Sequence, residues 1–275
     1  MFKEHNYVAW GDICSCGSEV YVLQNKYHPW EDVDFKIKIK CRNCGKSLEV
    51  DKSKAENFYN RKILSYFKDV EGTVIDLGCG SGFLSEYLLE NNNVKKIYAI
   101  DNDIESKKFI DELNLANRLN CANELNCRDI SNCEDKSDFD SRLDWKNKSN
   151  LSDRCNFADK LHLRDKSNNK DKITFLHMDI CDLGKCFENK KVDYIVSRDV
   201  FMFVDDTERY FQDVNKVVSK GVRQMGWYIG ENKRMRNKLT PEEIKEKLIN
   251  RDWKVYLEDL DWYKSGYFIR ADKMQ

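Results

Sequence analysis

The stretch TVIDLGCGSGFLSEYL, residues 73–88, decides the fold. Thr73, Val74 and Ile75 form a short apolar run that ends in an acid, Asp76. Gly78, Gly80 and Gly82 follow at alternate positions. Phe83, Leu84, Tyr87 and Leu88 then fall on one face of a helix. The pattern predicts a buried strand, a glycine turn and a helix. Alternating glycines let the backbone turn tightly and approach a ligand with no Cβ in the way. The helix N-terminus behind them offers free N–H groups and the positive end of a dipole. A Walker-type phosphate loop needs Gly-Lys-Ser/Thr after its glycines, and Gly82 is followed by Phe83. The dinucleotide fingerprint needs its third glycine where Phe83 stands. Both readings fail.

Working outward, further strands are predicted at KIYAID (96–101), ITFLHMD (173–179), VDYIVS (192–197), QMGWYIG (224–230), residues 254–260 and residues 266–271. Tyr210, Phe211, Val214, Val217 and Val218 share one helical face. Thr240, Pro241, Glu242 and Glu243 form a capping box with proline at the first helical position, and Ile244, Leu248 and Ile249 follow on the buried side. Alternating strand and helix units favour an α/β, doubly wound, mostly parallel sheet of seven strands.

Residues 76–82, acid-x-Gly-x-Gly-x-Gly, resemble the first motif of class I S-adenosylmethionine-dependent methyltransferases, a Rossmann-like family. The resemblance extends to later motifs in order and covers about residues 55–271, apart from an insertion. It implies that Asp76, Gly78, Cys79, Gly80 and Gly82 cradle S-adenosylmethionine. It implies that Asp101, with Asn102 beside it, accepts the ribose hydroxyls. It implies that Asp179 contacts the adenine amino group, with the backbone of Ile180 close by. Ser197, in SRDVF (197–201), matches the motif that lines the methionine end and the acceptor's mouth. Met202 stands where many small-molecule methyltransferases of the family carry histidine. No catalytic residue is assigned. Tyr59, Asp199 and His177 are the titratable groups expected near the mouth, with Tyr59 equally suited to packing and His177 to a buried neutral state.

A second constellation precedes this domain. Cys14-Ser15-Cys16-Gly17 and Cys41-Arg42-Asn43-Cys44-Gly45 are two knuckles of two cysteines each. Residues 19–23 and 35–40 between them read as strands, with Phe35, Ile37 and Ile39 alternating with Lys36, Lys38 and Lys40. Four thiolates on two knuckles linked by a hairpin match a closed, structural zinc site in a zinc-ribbon-like module. Vestigial and redox roles are the alternatives. Few apolar residues surround the knuckles, so the metal is expected to supply much of the module's stability. The boundaries are therefore residues 1–50 for the module and 51–275 for the cofactor domain.

Residues 118–172 break the pattern. They mix acids and bases, hold few aliphatics and carry an Asn-Cys pair every six residues at Cys121, Cys127 and Cys133. The composition predicts a low-complexity, disordered insertion or a lid. A second metal site there is the minority reading.

The whole chain has 275 residues, 35% of them charged, yet a net charge of only -1. No global basic field draws in nucleic acid. No apolar run is long enough to span a bilayer. Residues 1–10 lack a signal peptide's apolar stretch, and the 11 cysteines are an odd number. These features point to a cytoplasmic enzyme with a small-molecule acceptor. An RNA methyltransferase that docks through the ribbon is the alternative, and a non-catalytic cofactor-binding protein is a third reading.

Overall fold

The computed structural model describes residues 2–25, 34–128, 172–188 and 190–274. Residues 1–115 and 172–275 form one compact unit, and residues 116–171 a second.

The first unit is built on a seven-stranded sheet. Its strands are β5 (Gly72–Leu77), β6 (Val94–Asp101), β7 (Ile173–His177), β8 (Val192–Arg198), β9 (Val218–Trp227), β10 (Trp253–Leu260) and β11 (Gly266–Lys273), in the spatial order β10-β11-β9-β8-β5-β6-β7. β11 pairs antiparallel with both of its neighbours, and the other pairs are parallel. The doubly wound, seven-stranded expectation holds. From β5 the chain winds outward through β6 to β7, then returns to β8 on the other side. The order therefore reverses between β5 and β8, where open α/β sheets bind ligands beyond the strands' carboxyl ends.

The central strands are apolar because helices cover both faces. Val74, Ile75, Leu77, Ile97, Ile100, Ile195 and Val196 are all buried. The helices are α1 (Lys52–Leu64), α2 (Phe83–Glu90), α3 (Ser106–Arg128), α4 (Leu183–Cys186), α5 (Thr207–Val217) and α6 (Pro241–Ile249). On α5, Tyr210, Phe211, Val214 and Val217 face the core. The capping box at Thr240 forms as predicted, with both reciprocal hydrogen bonds to Glu243. Ile249, in contrast, is 45% exposed.

Three boundaries differ from the sequence reading. Val218 opens β9 rather than closing α5, because the chain passes straight from helix to strand with no intervening turn residue. The fifth strand is therefore 218–227, not 224–230. α3 continues to Arg128, past the expected start of the insertion at 118. The rest of that segment, with the Asn-Cys pair at Cys133, lies outside the described residues, as do the side chains of Cys121 and Cys127.

The N-terminal region holds two hairpins, β1 (Val8–Ile13) with β2 (Glu19–Gln24) and β3 (Lys36–Lys40) with β4 (Ser47–Asp51). β1 and β4 were not predicted. Each knuckle is thus the turn of its own hairpin, rather than the two being linked by one hairpin between them. Its apolar residues are fewer than a free-standing domain needs, and they are shared. Val8, Ala9, Trp10, Val20, Ile39 and Val50 are buried, and Trp10 stacks on Phe35. Tyr21 meets Phe58 of α1, Lys62 of α1 reaches Glu19, and Ala9 N–H donates to the Trp262 carbonyl.

Candidate active site

The glycine loop sits at the reversal point. Leu77 at the end of β5 pairs with Ser197 at the end of β8, so the loop starts beside the fourth motif. Gly78, Gly80 and Gly82 all have positive φ, at 68°, 49° and 82°. A Cβ on Gly78 would lie 2.4 Å from Val200, and one on Gly82 would lie 2.9 Å from Leu113. At Gly80 a Cβ would meet nothing within 4 Å, so this glycine faces open space.

Asp101 ends β6 and tightens the loop. Its Oδ2 accepts from Gly80 N–H at 2.7 Å, and its Oδ1 accepts from Asp103 N–H at 2.9 Å. Cys79 N–H donates to the Ile100 carbonyl, pinning the loop to β6. Cys79 itself is buried, and burial pushes its thiol well above the usual range. Asp76 lies beneath the loop, almost fully buried, and its Oδ2 accepts from Ser85 Oγ–H at 2.6 Å. Burial raises its pKa to about 6, against the lowering pull of the Ser85 hydrogen bonds.

Asn102 is exposed beyond β6, and its carbonyl lies 3.1 Å from His177 Nε2. His177 is exposed, not buried, because it ends the edge strand β7. Asp179 caps a short 3-10 turn, accepting from Cys181 N–H at 2.8 Å, with Ile180 half-buried behind it. Ser197 is buried at the end of β8. Gly80 and Asp101 are joined directly, and Ser197 pairs with Leu77 at the loop's start. Asp179 follows β7, the neighbour of β6, two strands from the loop.

The structure adds residues that the sequence reading missed or left unassigned. Asp199 stands in the left-handed region at φ 59°, with its N–H donating to the Met225 carbonyl. Tyr263, from the loop between β10 and β11, donates its hydroxyl to Asp199 Oδ2. Tyr59 of α1 is buried and stacks on Tyr263 with 5.7 Å between ring centres and 8° between planes. Arg198 lies over the Phe83 ring at 4.4 Å. The segment 2–7 straps the upper rim of β9 and β11: Glu4 accepts from Gly230 N–H, Ser265 and His5 exchange backbone and side-chain hydrogen bonds, and Phe2 packs edge-on to Tyr228 and Tyr267. Serine, tyrosine and phenylalanine this far apart in sequence carry no spacing signal, so only folding brings them together.

Residues 52–246 match the methyltransferase domain family. The chain belongs to that family. A search of curated proteins found no match. Solved structures similar to this chain include an O-methyltransferase family protein from Burkholderia thailandensis, at 10% identity and TM-score 0.49, over 80% of this chain and 60% of that one. A SAM-dependent methyltransferase from Aquifex aeolicus aligns at 15% identity and TM-score 0.42, over 78% and 89% of the two chains. An rRNA methylase from Streptococcus thermophilus aligns at 10% identity and TM-score 0.42, over 78% and 95%. The chain thus spans about three-fifths of the Burkholderia protein's length.

In the N-terminal hairpins, the sulfurs of Cys14, Cys16, Cys41 and Cys44 all lie within 4.8 Å of one another. Cys14 and Cys44 are 3.5 Å apart, and Cys16 and Cys41 are 3.7 Å apart. Zinc–sulfur bonds of about 2.3 Å require sulfur–sulfur edges of about 3.8 Å in a tetrahedron, so the donor set fits that ion. Gly17 and Gly45 follow the knuckles at positive φ, which lets each turn close around its pair. Among the described residues, no helix is long and apolar enough to cross a membrane.

Proposed function

We propose that this chain transfers the methyl group of S-adenosylmethionine to a small-molecule acceptor, and that Cys14, Cys16, Cys41 and Cys44 hold a structural zinc ion. What carries the transfer reading is the glycine loop at the reversal point, with Gly80 open to solvent and hydrogen-bonded to Asp101. In this reading Asp76, Gly78, Cys79, Gly80 and Gly82 line the methionine end of the cofactor with Ser197. Asp101 and Asn102 take the ribose, and Asp179 and Ile180 take the adenine. The cofactor supplies an electrophilic methyl group. The protein's task is to align the acceptor in line with it and exclude water.

A small acceptor is favoured by the near-neutral net charge of the chain, which offers no global basic field to nucleic acid. A second reading, RNA, draws support from exposed Lys233 and Arg234 in the loop after β9 and from Lys38, Lys40 and Arg42 on the ribbon. Lys36, in contrast, is paired with Glu49. A four-thiolate zinc has no open coordination position, so the metal's role is to hold the fold rather than to act on the acceptor. The deciding experiment incubates the protein with methyl-labelled S-adenosylmethionine and a cell extract, then separates small molecules, RNA and protein. Counts in the small-molecule fraction are expected. Counts confined to RNA would establish the second reading, and none in any fraction would refute transfer.

A further inference from the structure

β10 is the outermost strand of the seven-stranded sheet, and among the described residues no strand pairs with its outer edge. Such an edge is a template for another strand, and proteins usually blunt it with charge. By the period of two, Lys254, Tyr256 and Glu258 share one face of β10. That is the face of Tyr66, whose hydroxyl donates to Glu258 at 2.8 Å. Val255 and Leu257 share the other face and pack on the core that holds Ile244 and Leu248 of α6. Tyr256 is 58% exposed, the most exposed large hydrophobic residue among those described. Ile249 and Met274 are also exposed near the start of the strand, where Met274 N–H donates to the Asp252 carbonyl. Lys254 is exposed and makes no ion pair among the described residues. A cavity of about 610 Å³ runs along the Tyr256 face. Ser65, Tyr66, Lys68 and Asp69 line one side of it, and β10 and β11 supply the rest. No lining residue lies beyond β10, so the cavity is open along the sheet's edge.

We infer that β10 pairs antiparallel with β10 of a second copy of this chain, about a twofold axis at Tyr256. A closed dimer uses the same patch twice, so the two strands must run antiparallel and the axis must stand perpendicular to the sheet. Each face then continues across the axis, and only residues of the same face can stand opposite each other. Centring on Tyr256 sets Lys254 opposite Glu258, Val255 opposite Leu257 and Tyr256 opposite its own copy. By symmetry the Lys254–Glu258 pair occurs twice. Opposite charges and paired aromatic rings are the cross-strand neighbours that stabilise an antiparallel ladder. The adjacent registers are worse. Centring on Val255 sets Asp252 opposite Glu258, and centring on Leu257 sets Val255 opposite Asp259.

The charge complementarity also explains why a second copy is the partner. A lone lysine on an edge keeps other strands away. Here each Lys254 meets the acid of its twin, so the same residue admits its own copy and rejects a strand that lacks that acid. The Glu258 carboxylate takes one hydrogen bond from Tyr66 and has acceptor capacity left for a lysine. Pairing covers both Tyr256 rings and joins the two open cavities into one trough across a continuous sheet.

The test is the association state of the full chain, followed by sedimentation equilibrium up to about 200 µM, because an edge-strand interface is small. The wild type should dimerise. Lys254→Glu turns two attractive pairs into two repulsive ones and should weaken the dimer at least about tenfold. The double variant Lys254→Glu, Glu258→Lys exchanges the charges and should recover the dimer to within about threefold. Because Glu258 also holds Tyr66, Tyr256→Lys gives a second test at an exposed position. It sets two lysines on the axis and should again weaken the dimer at least about tenfold at unchanged melting temperature. Hydrogen exchange in the wild type should slow in residues 253–259 as concentration rises. A wild type that stays monomeric would overturn the inference and leave the edge to a strand of another protein. A dimer that neither Lys254→Glu nor Tyr256→Lys weakens, or one whose formation leaves exchange in β10 unchanged, would place the interface elsewhere and overturn it as well.

Discussion

The N-terminal hairpins and the seven-stranded sheet both place glycines at positive φ directly after a functional pair or strand, yet they are stabilised differently. The sheet buries continuous apolar strands between helices, so its loop is held by a core that exists without any ligand. The hairpins bury few residues, several of them against α1 and the Trp262 loop, and converge on four sulfurs. Turn chemistry alone does not tell whether a loop is supported by its ligand or merely receives one. The size of the core behind it does.

The largest effect should therefore come from the sulfurs. Replacing Cys41 and Cys44 with serine should release about one zinc per chain, read by elemental analysis, and unfold the two hairpins. Structural zinc in small modules contributes on the order of 10 kcal/mol to folding. Because Ala9 and Tyr21 lean on Trp262 and Phe58, the melt should also loosen the acceptor's mouth, while cofactor affinity measured by calorimetry changes little. Zinc-free wild type with intact hairpins by NMR would erase the contrast between the two regions.

Next comes the loop. Gly78→Ala forces a Cβ into Val200 at a positive φ, and should cost about 2–3 kcal/mol in stability together with most cofactor binding. Gly80→Ala has room and strain only from φ, so it should fold nearly as well but still weaken the cofactor. Equal losses of stability in both variants would show that Gly80 is not the open position. Asp101→Ala removes the acceptor for Gly80 N–H along with the proposed ribose contact, and a loss of about 1.5–3 kcal/mol in cofactor affinity is expected by calorimetry.

Asp76 sharpens the comparison through pH. Its folded pKa is raised above the ordinary value, so the folded state holds more protons than the unfolded one between about 4 and 6. Stability from this group is therefore lost as pH rises through that window. Asp76→Asn, which keeps an acceptor for Ser85, should relieve on the order of 2 kcal/mol at pH 7 and little at pH 4. Denaturant midpoints at the two pH values check this, and a variant less stable at pH 7 than at pH 4 relative to wild type would contradict it.

The smallest effect is expected from the insertion. Asn114 Nδ2 donates to the Ile173 carbonyl at 3.2 Å, so the chain is next to its own continuation just before residue 116. Replacing residues 118–170 by a short Gly/Ser linker should leave melting temperature and cofactor affinity nearly unchanged. A deletion that fails to fold would mean that the second unit supports the first.

The sequence alone determined the sheet's content, its glycine loop, the acids that end its strands and the four cysteines, because each is written in local spacing. Period two or 3.6 marks an element, and a glycine marks a backbone that side chains would block. It also decided the family, since motifs in order are a one-dimensional signal. The tertiary structure decided that each knuckle closes its own hairpin and that His177 is exposed on an edge strand. It alone brought Tyr59, Asp199 and Tyr263 together from α1, the end of β8 and the β10–β11 loop. Those residues are separated by two hundred positions of chain, roughly, and no periodicity links them; burial and hydrogen bonding across the sheet's rim do.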